Sequence, residues 1–140
     1  MGDLVKVIHV MHGDAELWTS LGEFFASRDV HKEIGGPIYS SAGTHWVIAT
    51  RSGKVLGFAS MRPTTTAVWL DYSYVVDSER RNGIHTRLAA AREKLARELH
   101  SDLPLRVAVR SERWENYKRR GWAVSSTRGG WVHGIMEAKS

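Results

Sequence analysis

An apolar segment, a short polar turn and an amphipathic helix follow one another between residues 68 and 99. Residues 68–76 are mainly β-branched and aromatic, which predicts a strand. The predicted helix carries apolar side chains three or four positions apart, at Leu88, Ala91, Leu95 and Leu99. The first N–H groups of a helix have no helical acceptor and lie at the positive end of its dipole. A strand that leads through a tight turn into a helix therefore predicts a phosphate-binding turn.

The charges around this turn strengthen the prediction of an anion site. Three arginines add positive charge there: Arg80, Arg81 and Arg87. Gly83 permits a close approach of the backbone to a ligand. Residues 80–120 contain 12 Lys/Arg and 5 Asp/Glu, a balance of +7, whereas residues 1–79 contain 6 Lys/Arg and 9 Asp/Glu, a balance of −3. The acidic N-terminal half favours a second ligand that is cationic or carries an amine.

Composition excludes several other classes of protein. A chain of 140 residues predicts one domain, residues 1–140, that can bury a sizeable core. Because cysteine is absent, disulfides, a thiolate nucleophile and cysteine metal sites are excluded. His9 and His12 have no third ligand at a suitable spacing, so no metal site is expected. No apolar run reaches the roughly 20 residues of a membrane span and no signal-peptide pattern is present, which favours a soluble cytoplasmic protein.

The other elements predict an α+β fold. Further strands are predicted at residues 4–11, 45–50, 55–61, 105–109 and 131–137, with residues 125–130 as the turn before the last strand. Gly53 suits a tight hairpin turn, and Gly121 suits the end of a helix. The predicted order is β-α-α-β-β-β-α-β-α-β, an antiparallel meander followed by a strand–helix–strand unit.

Two motifs resemble the GNAT superfamily of N-acetyltransferases. Residues 80–85, Arg-Arg-Asn-Gly-Ile-His, resemble the R/Q-x-x-G-x-G/A loop that binds the pyrophosphate of acetyl-CoA in that family. Residues 117–122, which include Tyr117, Gly121 and Trp122, resemble the Y-x-x-x-G-F/W signature that closes the cofactor site. A helix and a strand separate the two motifs, in the order that the GNAT fold has. Their conjunction is much more specific than either motif alone.

The resemblance implies a GNAT-type fold and a site for acetyl-CoA. Such a fold is a mixed, mostly antiparallel sheet flanked by helices, and the cofactor lies in a split between the strand ending at Val76 and residues 105–109. The backbone of Tyr74, Val75 and Val76 would pair with pantetheine like an added strand. The turn and the helix start would bind the pyrophosphate through Arg80, Arg81, Asn82, Gly83, Ile84, His85 and Thr86.

The resemblance also implies direct attack of a neutral amine on the thioester. Tyr117 would be the general acid that protonates the leaving sulfur, and a base must take the proton of the amine. Asp71 is the carboxylate best placed by sequence, because it lies in the strand beside the split. A solvent-facing strand residue or an ion pair explains Asp71 equally well. Glu79 and His45 are weaker candidates for the base.

His85 is the sharpest departure from the family pattern, which has glycine or alanine at this position. An imidazole there either turns away from the cofactor or donates a hydrogen bond to a phosphate, and the neighbouring arginines favour the phosphate contact. A protonated ring would make that contact stronger at pH 6 than at pH 8. Arg110, Arg113 and Asn116 also replace residues common in the family, which affects the pantetheine contacts.

Other functions are also compatible with the sequence. Six Trp and four Tyr could serve as stacking platforms in a small basic nucleic-acid-binding module, although these aromatic residues do not alternate with the basic run. A GNAT enzyme that acts on an amine carried by a nucleic acid is a further alternative, as is an acyl-CoA-binding fold without turnover. The sequence does not identify the acceptor, and it leaves a homodimer open.

Overall fold

The computed structural model describes residues 4–138. These residues form eight strands and four α-helices. The strands are β1 (Lys6–Met11), β2 (His45–Arg51), β3 (Lys54–Pro63), β4 (Val68–Leu70), β5 (Ser73–Val75), β6 (Leu105–Arg110), β7 (Ala123–Arg128) and β8 (Trp131–Met136). The helices are α1 (Ala15–Ala26), α2 (Arg28–Ile34), α3 (Ile84–Leu99) and α4 (Trp114–Arg119). Single 3₁₀ turns, Asp77–Glu79 and Ser111–Arg113, precede α3 and α4.

All eight strands belong to one mixed sheet. The strand order is β1-β2-β3-β4-β6-β8-β7, and β5 pairs with β3. Strands β4 and β6 are parallel, whereas the other pairs are antiparallel. A parallel pair needs a crossover connection, which the segment containing α3 supplies. The predicted α+β fold, a mostly antiparallel sheet flanked by helices, is confirmed.

Helices cover both faces of the central strands. Residues 46–49 of β2 are all buried, although their side chains alternate between the two faces of the sheet. Trp46 belongs to the core cluster that contains the apolar stripe of α1, and Val47 belongs to the cluster that contains Ile84 and Leu88 of α3. The apolar stripes of both helices therefore form part of the core. No helix within residues 4–138 combines the length and the apolar character needed to cross a membrane.

Two predicted turns contain glycines in the left-handed conformation that glycine adopts readily. Between β2 and β3, Ser52 (φ 53°) and Gly53 (φ 79°) both adopt left-handed conformations, as a tight type I′ hairpin turn demands. Gly121 has a φ of 95°, and its N–H donates to the Lys118 carbonyl at 3.1 Å, so it ends α4 as predicted.

The strand predicted before the polar turn is interrupted. The chain leaves the strand conformation at Asp71 and Tyr72, so β4 and β5 are separate strands. Ser60 of β3 bonds both backbone groups of Tyr72 within this break: its N–H donates to the Tyr72 carbonyl (2.9 Å), and its hydroxyl accepts from the Tyr72 N–H (3.1 Å). The interruption depends on a residue 12 positions away, which explains why the local pattern predicted one continuous strand.

The turn predicted at residues 125–130 is mostly a strand. Strand β7 extends to Arg128, and only Gly129 and Gly130 form the turn before β8. All six residues of β7 are exposed, and β7 is the last strand in the sheet order. Its serines and threonine face solvent, and this polar composition is also typical of a turn. The prediction was therefore wrong here, and the tail strand predicted at residues 131–137 is confirmed as β8.

Candidate active site

A cleft of about 560 Å³ lies where β5 and β6 face each other without pairing. Strands β4 and β6 pair in register from Val68–Leu105 to Leu70–Val107. Beyond this point β5 pairs with β3 and, within the described residues, not with β6. Residues of β5, the start of α3, β6 and α4 line the cleft. Its volume is in the range of small-molecule and cofactor sites.

The polar turn at the edge of this cleft presents free backbone N–H groups. Arg81 (φ 72°) and Gly83 (φ 78°) have left-handed conformations, and α3 begins at Ile84. The N–H of Arg87 donates to the Gly83 carbonyl at 3.1 Å, and no side chain caps the helix start. The N–H groups of residues 84–86 therefore lack helical acceptors, which is the anion-binding arrangement that the sequence predicted.

Arg80 is held beside these N–H groups by several contacts. Its Nε donates to the Val75 carbonyl at 3.0 Å, and its Nη1 donates to Asp77 at 3.2 Å. Its Nη2 pairs with Glu33 of α2. The guanidinium carbon lies 5.5 Å from the centroid of the Tyr74 ring. Arg80 is thus fixed at the cleft, but Glu33 offsets part of the positive charge that an anion would meet.

The structure brings most of the predicted site residues to the cleft. Seven of them line it: Asp71, Tyr74, Val75, Arg80, His85, Thr86 and Tyr117. Five others do not line it: Val76, Arg81, Asn82, Gly83 and Ile84. The side chain of Ile84 is buried in the core, so only its backbone can face a ligand. Arg87, predicted to add charge to the turn, instead donates to the Val5 carbonyl at 3.0 Å.

Tyr117 is held in the cleft wall by two tryptophans. Its ring is stacked on Trp114, with centroids 6.2 Å apart and planes at 7°, and it meets the edge of Trp122 at 5.6 Å. A Cβ atom at Gly134 would lie 2.5 Å from the Trp114 ring, so glycine is required there for this packing. The Tyr117 hydroxyl lies 3.5 Å from Nη2 of Arg92. The ring position is therefore fixed, with its hydroxyl beside a guanidinium group.

Asp71 forms an ion pair, one of the interpretations that the sequence left open. Nε and Nη2 of Arg62 donate to its two carboxylate oxygens at 2.9 and 3.4 Å. Asp71 nevertheless lines the cleft, whereas the two weaker base candidates do not. Glu79 pairs with Arg51 at 3.0 Å, and the His45 ring is hydrogen-bonded to another imidazole. Within residues 4–138 no group of three His, Asp or Glu side chains is arranged to hold a metal ion.

His85 lies in the cleft and is neutral near physiological pH. Its Nδ1 is 3.3 Å from the Ser73 hydroxyl oxygen. Four guanidinium groups act on the ring, those of Arg113, Arg92, Arg80 and Arg120. Enclosure by the cleft, and then repulsion from these groups, lowers the pKa of His85 from 6.5 to about 4. The ring of the free protein is therefore neutral at pH 6, and the expected contact with a phosphate stays a prediction.

The basic excess found in the sequence converges on the cleft. Six arginines line it: Arg80, Arg92, Arg110, Arg113, Arg119 and Arg120. Within residues 4–138 only two carboxylates, those of Glu33 and Asp71, line it with them. Arg110 and Arg113, which depart from the residues common in the family, are thus part of a strongly positive surface. Such a surface attracts a ligand that carries several negative charges.

The sequence analysis missed several cleft residues, and Arg92 and Glu33 are two of them. Arg92 is 2% exposed and lies in the apolar stripe of α3, four positions from both Leu88 and Ala96. A charged residue at an apolar position of the helix was a signal that could have found it. Glu33 contacts Arg80 across 47 positions of sequence, and no local pattern indicates such a contact.

The sequence also matches a model of a known protein family. The model is that of the acetyltransferase (GNAT) family, and it matches residues 14–122. This range contains both motifs and more than half of the chain. The protein therefore belongs to the GNAT family of acetyltransferases, and the resemblance seen in the two motifs is confirmed.

Solved structures show the same fold. An acyl-CoA N-acyltransferase from Pseudomonas aeruginosa superposes with a TM-score of 0.79 at 16% identity, covering 94% of this chain and 99% of that one. PaiA N-acetyltransferase from Thermoplasma acidophilum, in complex with coenzyme A, gives a TM-score of 0.71 at 14% identity and covers 96% and 99%. A GNAT family acetyltransferase from Elizabethkingia anophelis, with acetyl-CoA bound, superposes with a TM-score of 0.67 at 11% identity. The match covers 95% of this chain and 97% of that one. These similarities confirm the GNAT fold. No curated protein sequence matches this one.

Proposed function

We propose that this protein is an acetyl-CoA-dependent N-acetyltransferase that transfers an acetyl group to an amine. The proposal rests on one observation. The uncapped start of α3, with Arg80 beside it, and the hydroxyl of Tyr117 both border a single basic cleft between unpaired strands. Binding of coenzyme A by the Thermoplasma acidophilum structure and of acetyl-CoA by the Elizabethkingia anophelis structure supports this choice of co-substrate.

The cleft fits the chemical parts of acetyl-CoA. The free N–H groups of residues 84–86 and the guanidinium of Arg80 would bind the pyrophosphate. The unpaired edge of β5, with Tyr74 and Val75, would bind the amide groups of pantetheine as an added strand would. The arginines of β6 and α4 would offset the remaining phosphate charge.

Bound acetyl-CoA would supply an acetyl group activated as a thioester, and the protein would supply position and proton transfer. The hydroxyl of Tyr117 would donate a proton to the leaving sulfur. Asp71 lines both the cleft and a second cavity of about 250 Å³, which Tyr39, Ser40 and Arg62 also line. The acceptor would enter through this second cavity, and Asp71 would take the amine proton directly or through water. Holding the amine near the thioester would contribute most of the rate enhancement.

An assay of coenzyme A release tests this function. The protein is incubated with acetyl-CoA and one amine at a time, chosen from small amines, amino acids, peptides and aminoacylated nucleic acids. Because the protein contains no cysteine, a thiol reagent detects only the coenzyme A that is released. We expect release above background hydrolysis with at least one class of amine. Tight acetyl-CoA binding with no release for any amine would instead indicate a binding protein without turnover.

The structure gives less support to a nucleic-acid-binding module. Trp46 and Trp122 are buried, at 0% and 4% exposure, and Trp114 packs against Gly134. Side chains in such positions cannot stack on bases. Six arginines meanwhile line one cleft, although Arg110, Arg113 and Arg119 among them are exposed. An amine carried by a nucleic acid is still a candidate acceptor.

Removing the charge of Glu33 should strengthen acetyl-CoA binding. Glu33 pairs with Arg80 at the edge of the cleft, and a phosphate must compete with its carboxylate. Both side chains are partly exposed, and such pairs are worth up to about 1 kcal/mol, so Glu33→Gln should raise affinity about two- to fivefold. Glu98→Gln is the control, because Glu98 pairs with Lys94 away from the cleft. Calorimetry at low salt measures both variants, and an unchanged or lower affinity for Glu33→Gln would contradict the assignment of Arg80.

The effect of His85 on binding should be independent of pH between 6 and 8. Because the pKa of His85 is about 4 in the free protein, its ring is neutral between pH 6 and pH 8. Removing the ring therefore does not change the charge of the free protein in this pH range. If the pKa of the ring stays below 6 when the phosphates bind, the ratio of acetyl-CoA affinities between the parent protein and His85→Gly will be the same at pH 6 and pH 8. A ratio that favours the parent more strongly at pH 6 would show that the imidazole takes up a proton when phosphate binds.

A further inference from the structure

Arg92 is a buried cation without a counter-ion. It is 2% exposed, and its Nη1 donates to the carbonyls of Tyr72 (2.9 Å) and Ser60 (3.3 Å). Its Nη2 faces the Tyr117 hydroxyl at 3.5 Å, and its Nε has no hydrogen-bond partner. Among residues 4–138 no carboxylate forms an ion pair with it. Burying an unpaired charge is unfavourable, so this position calls for an explanation.

Two other ionisable groups near Tyr117, Arg120 and His85, are not unpaired cations. The guanidinium of Arg120 also lies against the Tyr117 ring, 5.0 Å from its centroid, but Glu93 pairs with it at 2.8 Å. His85 is neutral because its pKa is about 4. Arg92 is therefore the uncompensated cation in contact with the hydroxyl of Tyr117.

A purely structural role explains only part of this arrangement. The two carbonyls that Arg92 bonds lie at the interruption between β4 and β5 and on the facing strand β3, so a hydrogen-bond donor is useful there. A neutral donor would satisfy these carbonyls without the cost of burying a charge. The positive charge of Arg92 would instead stabilise negative charge that develops beside Tyr117 during the reaction.

We propose that Arg92 is a positioning residue for the acyl transfer, an inference that rests on the proposed function. By donating to the oxygen of Tyr117, it directs the hydroxyl proton away from itself and into the cleft. In the transfer, the amine nitrogen bonds to the acyl carbon, the carbon–sulfur bond breaks, and the sulfur keeps the bonding electron pair. Tyr117 gives its proton to the sulfur and regains one from the water or base that took the amine proton. The charge of Arg92 stabilises the negative charge on the sulfur and the phenol oxygen during this exchange.

The test separates the charge of Arg92 from its hydrogen bonds. Arg92→Gln keeps a donor but removes the charge, whereas Arg92→Lys keeps the charge. The probe is coenzyme A, whose bound thiol is titrated by the ultraviolet absorbance of the thiolate, with S-methyl-coenzyme A as the blank. A cation within about 4–6 Å lowers the pKa of an acid by about 1–3 units, so the thiol pKa should be at least about one unit higher in Arg92→Gln than in the parent. Arg92→Lys should stay close to the parent.

Arg97→Gln is the matched control. Arg97 lies on the same helix and also donates to two carbonyls, those of Leu103 and Glu137, but it does not line the cleft. Its replacement should leave the thiol pKa unchanged. In turnover assays, Arg92→Gln should lower kcat about tenfold or more with little change in the KM for acetyl-CoA, and Arg92→Lys should restore most of the loss.

The outcomes distinguish this inference from the proposed function. Equal thiol pKa values in the parent and in Arg92→Gln, with coenzyme A bound to both, would overturn the role of Arg92 and leave the proposed function intact. A parent protein that binds no coenzyme A would overturn the proposed function and this inference together. Circular dichroism verifies folding, and Arg92→Met takes the place of the glutamine variant if that variant does not fold.

Discussion

Replacing Gly83 with glutamate should abolish acetyl-CoA binding and leave the protein folded. Gly83 precedes the uncapped start of α3, and no heavy atom lies within 4 Å of the position that its Cβ would occupy. In the proposed site the pyrophosphate lies against the N–H groups that follow Gly83, so a glutamate side chain would compete with it there. Like charges brought together cost several kcal/mol, so affinity should fall by at least about 100-fold in a calorimetric titration.

The chain offers a matched control for this variant in the hairpin turn. Gly53 has a φ of 79°, almost the same as the 78° of Gly83, and its Cβ position is equally open. Glutamate at either position should cost about 1–2 kcal/mol of stability, because a side chain is strained in the left-handed conformation. Only Gly83→Glu should lose acetyl-CoA binding. Equal affinities for the two variants would contradict the phosphate site at the start of α3.

Removing the hydroxyl of Tyr117 should slow acetyl transfer without weakening acetyl-CoA binding. General acid catalysis contributes about 10²–10⁴-fold, and a thiolate is already a good leaving group, so Tyr117→Phe should lower kcat by about 100-fold. The aromatic ring is retained, so its packing on Trp114 and Trp122 and the stability of the protein should change little.

Turnover of this variant must be measured under conditions in which chemistry limits the rate. Single-turnover mixing of a saturated complex with the amine isolates that step. Calorimetry on the same preparation verifies that acetyl-CoA binding is unchanged. An unaltered single-turnover rate would leave Tyr117 with a packing role only.

The helix and the turn beside the proposed phosphate site could be predicted because their signals are local. The apolar stripe of α3, the glycine before it and the β-branched residues ahead of the turn all lie within residues 68–99. Gly83 does adopt the left-handed conformation, and α3 does begin at the next residue. The hairpin at Gly53 was predictable for the same reason.

Features that depend on contacts between distant residues could not be predicted. The break at Asp71 and Tyr72 depends on hydrogen bonds from Ser60 on another strand. The low pKa of His85 follows first from its burial in the cleft and then from guanidinium groups that come from several parts of the chain, and sequence alone does not bring these groups around one ring. Tertiary contacts therefore interrupt the strand at residues 71–72 and keep the His85 ring neutral.

The cleft contains both residues that the sequence predicted and residues that it did not. Seven of the twelve residues expected in the site line it, and three of these seven, Arg80, His85 and Tyr117, belong to the two family motifs. Arg92 was missed, although a charge within the apolar stripe of α3 is visible in the sequence. Charged residues at apolar positions of a predicted helix should therefore be examined as site candidates, and not only as exceptions to a packing pattern.

A calorimetric titration of the parent protein with acetyl-CoA tests the central claim most directly. We predict saturable binding with one molecule per chain, weaker at high salt because phosphates meet arginines in the cleft. A parallel titration with a single-stranded oligonucleotide should give much weaker binding. The absence of acetyl-CoA binding, together with oligonucleotide binding that falls steeply with salt, would contradict the account and favour a nucleic-acid-binding module.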